Sequence, residues 1–287
     1  MTAACVVAGA AGAVVSHAVT QERHDDRTER VQERLAAFHS RAVRGKVHLV
    51  VLLPRGYDNS RSRYPVVYFL HGLPASSGAY RGVEFLRRAL GGLRRPAILV
   101  APQGARDNDS DPEYLDWGPG RNWETAVARE LPAFVDSHFR TIRSRRGRAL
   151  VGLSASGYGA VLLGLHHLDA FSVVESWSGY FHPTNAEGSS ALDLGSADLN
   201  RRASAHSFVN ALRREFRARP TFFAFYVGRG DTRFREENVR LDHELDSGHV
   251  PHLFKVYPGA HGQTVWTRHA RQWLDLAVAH LRRQRSS

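Results

Sequence analysis

Three short segments carry residue types that together could perform acyl chemistry. The first is Gly152-Leu153-Ser154-Ala155-Ser156, which follows an apolar run of strand character and precedes the helix-forming stretch YGAVLLGLHHL. A strand that turns sharply into a helix can present a serine at the tip of the turn. Such a nucleophile elbow requires small residues two before and two after the serine. Gly152 meets the first demand and Ser156 stands where glycine is usual. Ser154 would then sit at the positive end of the following helix; the competing reading is an ordinary Ser/Gly-rich helix cap.

A serine nucleophile needs a base, and the base needs a carboxylate to orient it. The apolar run 222–227 leads into Gly228-Arg229-Gly230-Asp231, and the run 253–257 leads into Pro258-Gly259-Ala260-His261-Gly262. Both are strand-end loops with one titratable group, in the order serine, acid, histidine. Glu236, Glu237, His243, His249, His166 and His167 are less well placed, because each falls in a predicted helix or a turn away from a strand end. An oxyanion requires two backbone N–H donors. Ala155, next to the serine, supplies one; Leu73, after the run 66–70 and Gly72, supplies the other. His71 is expected to pack or hydrogen-bond beneath the site.

The elements that must hold these segments are legible as a pattern. Strand-length apolar runs recur at 47–53, 66–70, 97–101, 149–153, 171–177, 222–227 and 253–257, mostly closed by Gly, Pro or Ser. Helix-period stretches lie between them. One stripe comprises Val127, Leu131, Phe134, Val135 and His138, with Asn122 as its expected N-cap and Pro132 as a kink or restart. Another comprises Trp266, Ala270, Trp273, Leu274, Ala277 and Leu281. The alternation predicts an α/β fold with a mostly parallel central sheet and helices on both faces. Residues 31–43 are read as an edge strand leading to a turn at Arg44-Gly45.

Composition narrows the functional classes. The chain has 287 residues, 43% of them apolar, 23% charged and 10% aromatic, which is globular composition. Cys5 is the single cysteine, so an intramolecular disulfide and a cysteine-based zinc site are excluded. The net charge of +11 comes from scattered arginines, Lys46 and Lys255 being the only lysines. No stacking aromatics or helix-turn-helix spacing accompany them, so nucleic acid is not an expected partner. There is no HExxH. The loop Asp107–Asp111 starts like a calcium loop but has Pro112 and Gly118 where glycine and glutamate are needed. No metal, cofactor or obligate partner is indicated, and oligomeric state is unreadable. Residues 2–19 are small and apolar and are followed by a polar stretch. Residues 1–29 are therefore read as a signal-like or anchoring segment plus linker, and 30–287 as one catalytic domain. That reading places the protein outside the cytoplasm or on the cell envelope, with a cytoplasmic location as the alternative.

The matching pieces LLPRGYDNSRSRYPVVYFLHGL, DW…NWETAVARELPAFVDSHF, VGLSASGYGA, GRGDTRFREEN and YPGAHGQTVWTRH, running from about 36 to 281, together resemble the esterase D family of α/β-hydrolases. That family includes S-formylglutathione hydrolases, feruloyl esterases and the antigen 85 mycolyltransferases. The resemblance implies an α/β-hydrolase fold with Ser154 as nucleophile, Asp231 as acid, His261 as base, and Leu73 and Ala155 as oxyanion donors. Two departures stand out. Ser156 and Ala155 replace the common glycine and methionine after the serine. The acid and arginine that hold trehalose in the mycolyltransferases match His71 and Pro74 here. Asp116 and Trp117, with His71, are candidates for the substrate pocket. The implied function is carboxylester hydrolysis on a small-molecule or lipid ester. Acyl transfer to a sugar alcohol and a non-catalytic binding role are the alternatives.

Overall fold

The computed structural model describes residues 30–73, 76–104, 114–185 and 190–282. The apolar stretch 2–19, the polar linker to 29, Pro74 and the acidic loop 107–111 lie outside the described residues. The strands are β1 (Gln32–Ser40), β2 (Gly45–Leu53), β3 (Val66–Leu70), β4 (Ile98–Pro102), β5 (Arg148–Leu153), β6 (Val173–Trp177), β7 (Phe222–Gly228) and β8 (Leu253–Tyr257). They form one sheet in the order β1-β2-β4-β3-β5-β6-β7-β8. β2 runs antiparallel to β1 and β4, and every pair from β4 through β8 is parallel. The edge strand expected at 31–43 is β1. It folds back onto β2 through a turn that ends at Arg44, whose φ is 49°.

The longer helices are α1 (Glu84–Gly91), α2 (123–138), α3 (Ala155–His166), α4 (Ala197–Arg202), α5 (Val209–Ala218), α6 (Arg235–Ser247) and α7 (Gln263–Ala279). Apolar side chains of α1 and α7 cover one face of the sheet, with Trp177, Trp273 and Tyr226 in the densest part. α2, α3, α5 and α6 cover the other face. The strands are apolar on both sides because both sides are covered. β3, β4 and β6 are buried at every position.

α2 shows how Pro132 is accommodated. An opening turn, Trp123–Thr125, passes into a π-helical stretch, Ala126–Glu130, and then into Leu131–His138. Proline cannot donate to the ladder, and the wider π turn absorbs the interruption without breaking the helix. Val127, Leu131 and Val135 are buried as expected. His138 is exposed, with its ring against Phe134 and its Nδ1 within hydrogen-bond reach of the Phe134 carbonyl. Asn122 occupies the N-cap position but does not cap: its Oδ1 accepts from the Gly118 N–H at 2.9 Å. The capping oxygens come from Asp116, which accepts from the Thr125 N–H at 3.0 Å and the Thr125 hydroxyl at 2.6 Å.

Candidate active site

β5 ends at Leu153, and the next residue, Ser154, adopts φ 56° and ψ −124° before α3 begins. This conformation is costly for a residue with a side chain and persists only where its surroundings impose it. The Ser154 N–H donates to the Trp177 carbonyl at the end of β6 at 2.8 Å. Gly152 makes the turn sterically feasible, since a Cβ there would lie 1.7 Å from the Ser156 carbonyl oxygen. Ser156 itself is fully buried. Its hydroxyl donates to the His71 carbonyl, in a contact that ties the start of α3 to the loop after β3.

The two other loops converge on the serine. His261 follows β8, and its Nε2 lies 2.9 Å from the Ser154 Oγ. Its Nδ1 lies 2.8 Å from Asp231 Oδ2, on the loop after β7. Asp231 is 1% exposed, and its Oδ1 accepts from the Arg233 and Phe234 N–H groups, both at 3.1 Å. A buried carboxylate with three hydrogen-bond partners is a satisfied one. The two loops are laced together by Gly230 N–H donating to the Gly259 carbonyl and Arg229 N–H donating to the Tyr257 carbonyl, each at 2.7 Å. The imidazole of His261 is held edge-on between Phe234 and Trp266, each ring centroid 5.2 Å away. The Trp266 indole N–H donates to the Ser178 hydroxyl at 3.1 Å, which fixes that wall.

The loop after β3 passes alongside. A Cβ on Gly72 would lie 2.8 Å from the Leu153 carbonyl oxygen and 3.0 Å from the Ser154 Cβ. Only glycine lets that backbone approach so closely. Leu73 follows directly, its apolar side chain 42% exposed. Ala155 is buried as the first residue of α3. The structure thus brings Ser154, Asp231, His261, Gly72 and Ala155 into one locus at the carboxyl ends of the parallel strands.

The three pocket candidates separate. His71 is buried, its Nδ1 donating to the Gly72 carbonyl at 2.9 Å and its ring edge-on to Tyr114. Burial lowers its pKa, against a weaker opposing pull from the Gly72 carbonyl; the ring is neutral packing beneath the loop. Asp116 spends both carboxylate oxygens on Thr125. Trp117 packs against the cluster formed by Ala155, Tyr158, Tyr180 and Phe234, beside Ser154 and His261. Its buried indole N–H has no partner among the described residues. His166 and His167 are packed rather than solvated, each with a ring nitrogen 2.9 Å from Glu124 Oε1. Burial pushes the Glu124 carboxyl up, but those two hydrogen bonds outweigh it and hold the group at about 2. Glu236 is exposed on α6, away from the role of orienting acid.

Sequence reasoning did not find the walls of the site. Phe234, Trp266, and the pair Ser178 and Tyr180 come from three segments, and only Trp266 had a helical stripe to mark it.

A family model described as "Putative esterase" matches residues 40–273. The chain belongs to this esterase family. Among curated proteins, Esterase Rv1288 of Mycobacterium tuberculosis is 34% identical over 148 residues, which is 50% of this chain and 31% of that protein. The diacylglycerol acyltransferase/mycolyltransferase Ag85A of Mycobacterium leprae is 32% identical over 152 residues, 50% of this chain and 44% of that protein. The match spans less than half the length of these curated relatives. Among solved structures, a ferulic acid esterase superposes with a TM-score of 0.73 at 23% identity, over 88% of this chain and 99% of that one. An S-formylglutathione hydrolase from Agrobacterium tumefaciens gives 0.70 at 19% identity, over 87% and 95%. At these identities the structural neighbours establish the α/β-hydrolase fold. The esterase family membership rests on the sequence match.

Proposed function

We propose that this esterase-family chain is a serine carboxylester hydrolase that works through a covalent acyl-enzyme on Ser154. The observation that carries the proposal is the continuous chain Ser154 Oγ, His261, Asp231, with contacts of 2.9 and 2.8 Å. His261 Nε2 takes the Ser154 proton as Oγ attacks the ester carbonyl carbon. The carbonyl π electrons move onto oxygen, where the N–H groups of Leu73 and Ala155 stabilise the oxyanion. Collapse expels the alcohol, which leaves with the proton from His261, and the acyl group remains on Ser154. Water, deprotonated by the same imidazole, then releases the acid and restores the serine. Asp231 holds the imidazole with Nδ1–H toward itself and Nε2 toward the serine, and stabilises the imidazolium formed in each step.

Water is the proposed acceptor because a polyol would need fixed polar groups beside the oxyanion site. The described residues there, Gly72 and the exposed Leu73, offer an apolar side chain and backbone. Acyl transfer to a sugar alcohol is the second reading, favoured by the match to the mycolyltransferase Ag85A. The substrate is a small-molecule or lipid ester, and residues 2–19 deliver the enzyme to the envelope or beyond. Among the described residues no helix is long and apolar enough to cross a membrane.

The test is an acyl-chain series of chromogenic esters, run with and without trehalose, beside labelling by a fluorophosphonate. Acid release that trehalose does not alter, together with labelling lost in Ser154→Ala, is the expected result. Acyl-trehalose as the main product would overturn the choice of acceptor. Folded protein that neither labels nor turns over would favour a non-catalytic binding role.

A further inference from the structure

Away from the triad, three segments bring two imidazoles and a carboxylate to one point. His182 lies in the loop after β6, His206 in the short 3-10 turn Ala205–Phe208, and Glu237 in the first turn of α6. His182 Nδ1 and His206 Nε2 each lie 2.6 Å from the same oxygen, Glu237 Oε1. One ligand-type atom from each of the three residues falls within 4.8 Å of the others. A fourth residue completes the arrangement. Glu244 stands seven residues beyond Glu237, on the same face of α6, and its Oε2 accepts from His206 Nδ1. The other Glu244 oxygen is held by Arg240 Nε at 2.9 Å.

The hydrogen-bond inventory of this cluster demands a positive centre. Ionised carboxylates only accept, so His206 faces an acceptor at both ring nitrogens. Either it carries two protons or its Nε2 faces a cation. The pattern also has the form that orients a metal-binding histidine, in which one ring nitrogen is fixed by a carboxylate while the other points at the ion.

We propose that His182, His206 and Glu237 form a binding site for a divalent transition ion of the zinc class, with Glu244 orienting His206 and water at the fourth position. Two nitrogens and one carboxylate oxygen are a donor set that suits such an ion. Ligands on a tetrahedral zinc lie roughly 3.3 Å apart, given bonds of about 2.0–2.1 Å. Loading therefore spreads pairs now 2.6 Å apart by less than one ångström, which small side-chain rotations provide. The three ligands are partly exposed, so an ion can enter from solvent. His182 and Glu237 are 55 residues apart and His206 and Glu237 are 31 apart, so no compact sequence motif announces the site.

The ion would tether the chain between β6 and β7 to the helix that follows Asp231. Ser154, His261 and Asp231 need no metal, so the site stands independently of the proposed esterase reading. The experiment is calorimetric titration of the chelator-stripped full chain with zinc, paired with cobalt absorption spectroscopy and thermal melting. One zinc per chain is expected, with a tetrahedral cobalt spectrum and a Tm raised by about 5 °C or more at a hundredfold excess over Kd. Glu237→Gln and His206→Gln should abolish stoichiometric uptake. Glu244→Gln should weaken it about 10- to 100-fold while keeping one site. His182→Ala, at the most exposed ligand, should fold normally by circular dichroism and still lose the tetrahedral cobalt bands. Absence of stoichiometric uptake by the wild-type chain would overturn the proposal. So would uptake that survives both Glu237→Gln and His182→Ala unchanged.

Discussion

The Ser156 hydroxyl donates to the backbone carbonyl of His71, joining the first turn of α3 to the loop beside Ser154. Glycine is common at this position in the family, and the serine found here adds a bond that glycine cannot make. The contact lies between the two segments proposed to supply the oxyanion donors, Ala155 and Leu73.

Removing that bond should cost both stability and rate. Ser156→Ala leaves the buried His71 carbonyl without this partner, at a cost of about 1–3 kcal/mol. Chemical denaturation and ester turnover measured on the same preparation check this. Stability that falls with kcat unchanged would mean that the bond holds the fold but not the donors.

Gly72→Ala probes the donor loop from the other side. The added methyl meets the Leu153 carbonyl oxygen and the Ser154 Cβ, both on a turn with no freedom to retreat. The loop must move, and Leu73 N–H with it. A fall in kcat of up to about 10²-fold with little change in KM is expected. Steady-state kinetics decide, and a change confined to KM would remove Leu73 from the oxyanion role.

Asp231→Asn should retain the fold, because its Oδ1 bonds to Arg233 and Phe234 can survive in the amide. Turnover should nevertheless drop by about 10⁴-fold through loss of tautomer control. Glu236→Gln, on the exposed side of α6, should leave kcat unaltered. The opposite pattern would show Asp231 to be the wrong acid.

Glu175 gives a pH-dependent prediction. It is fully buried on β6, and burial pushes its carboxyl up from 4.5 to about 8 despite hydrogen bonds from Trp177 and Tyr226. Below about pH 4.5 the folded and unfolded chains both hold this proton. As pH rises toward 8 the unfolded chain releases it while the folded protein keeps it, so the folded state loses stability. Glu175→Gln removes this loss, since its amide can serve both partners at any pH. The Tm advantage of the variant should grow from pH 5 to pH 8; a constant difference would show that Glu175 is ionised in the fold.

The sequence made the proposed triad legible because Ser154, Asp231 and His261 each close an apolar run with a small-residue turn. The parallel sheet brings such turns to one edge. Residues whose roles depend on partners met only in the folded chain were hidden. Asp116 looked like a pocket residue, yet its oxygens are taken by Thr125, nine positions on. Asn122 had the composition of a cap and lost that task to Asp116. His182, His206 and Glu237 meet only after β6, β7 and α6 have packed. Glu175 sits in an apolar strand, where its neutral form is acceptable and its position gives no signal. Periodicity reports which face is buried, and it does not report which polar group waits there.

β8, whose following loop holds His261, borders the sheet and pairs only with β7 among the described strands. Ser154, by contrast, stands at the end of β5, with strands paired on both sides. The proposed nucleophile thus stands inside the sheet and its proposed base beyond an edge strand that can fray. Local opening at that border should separate His261 from Ser154 while β5 and the elbow stay intact. On heating, turnover would then fade at temperatures where the protein still looks folded, and return on cooling. During synthesis Ser154 emerges 107 residues before its proposed base, so the nascent chain carries a serine without its partner until the outermost strand docks.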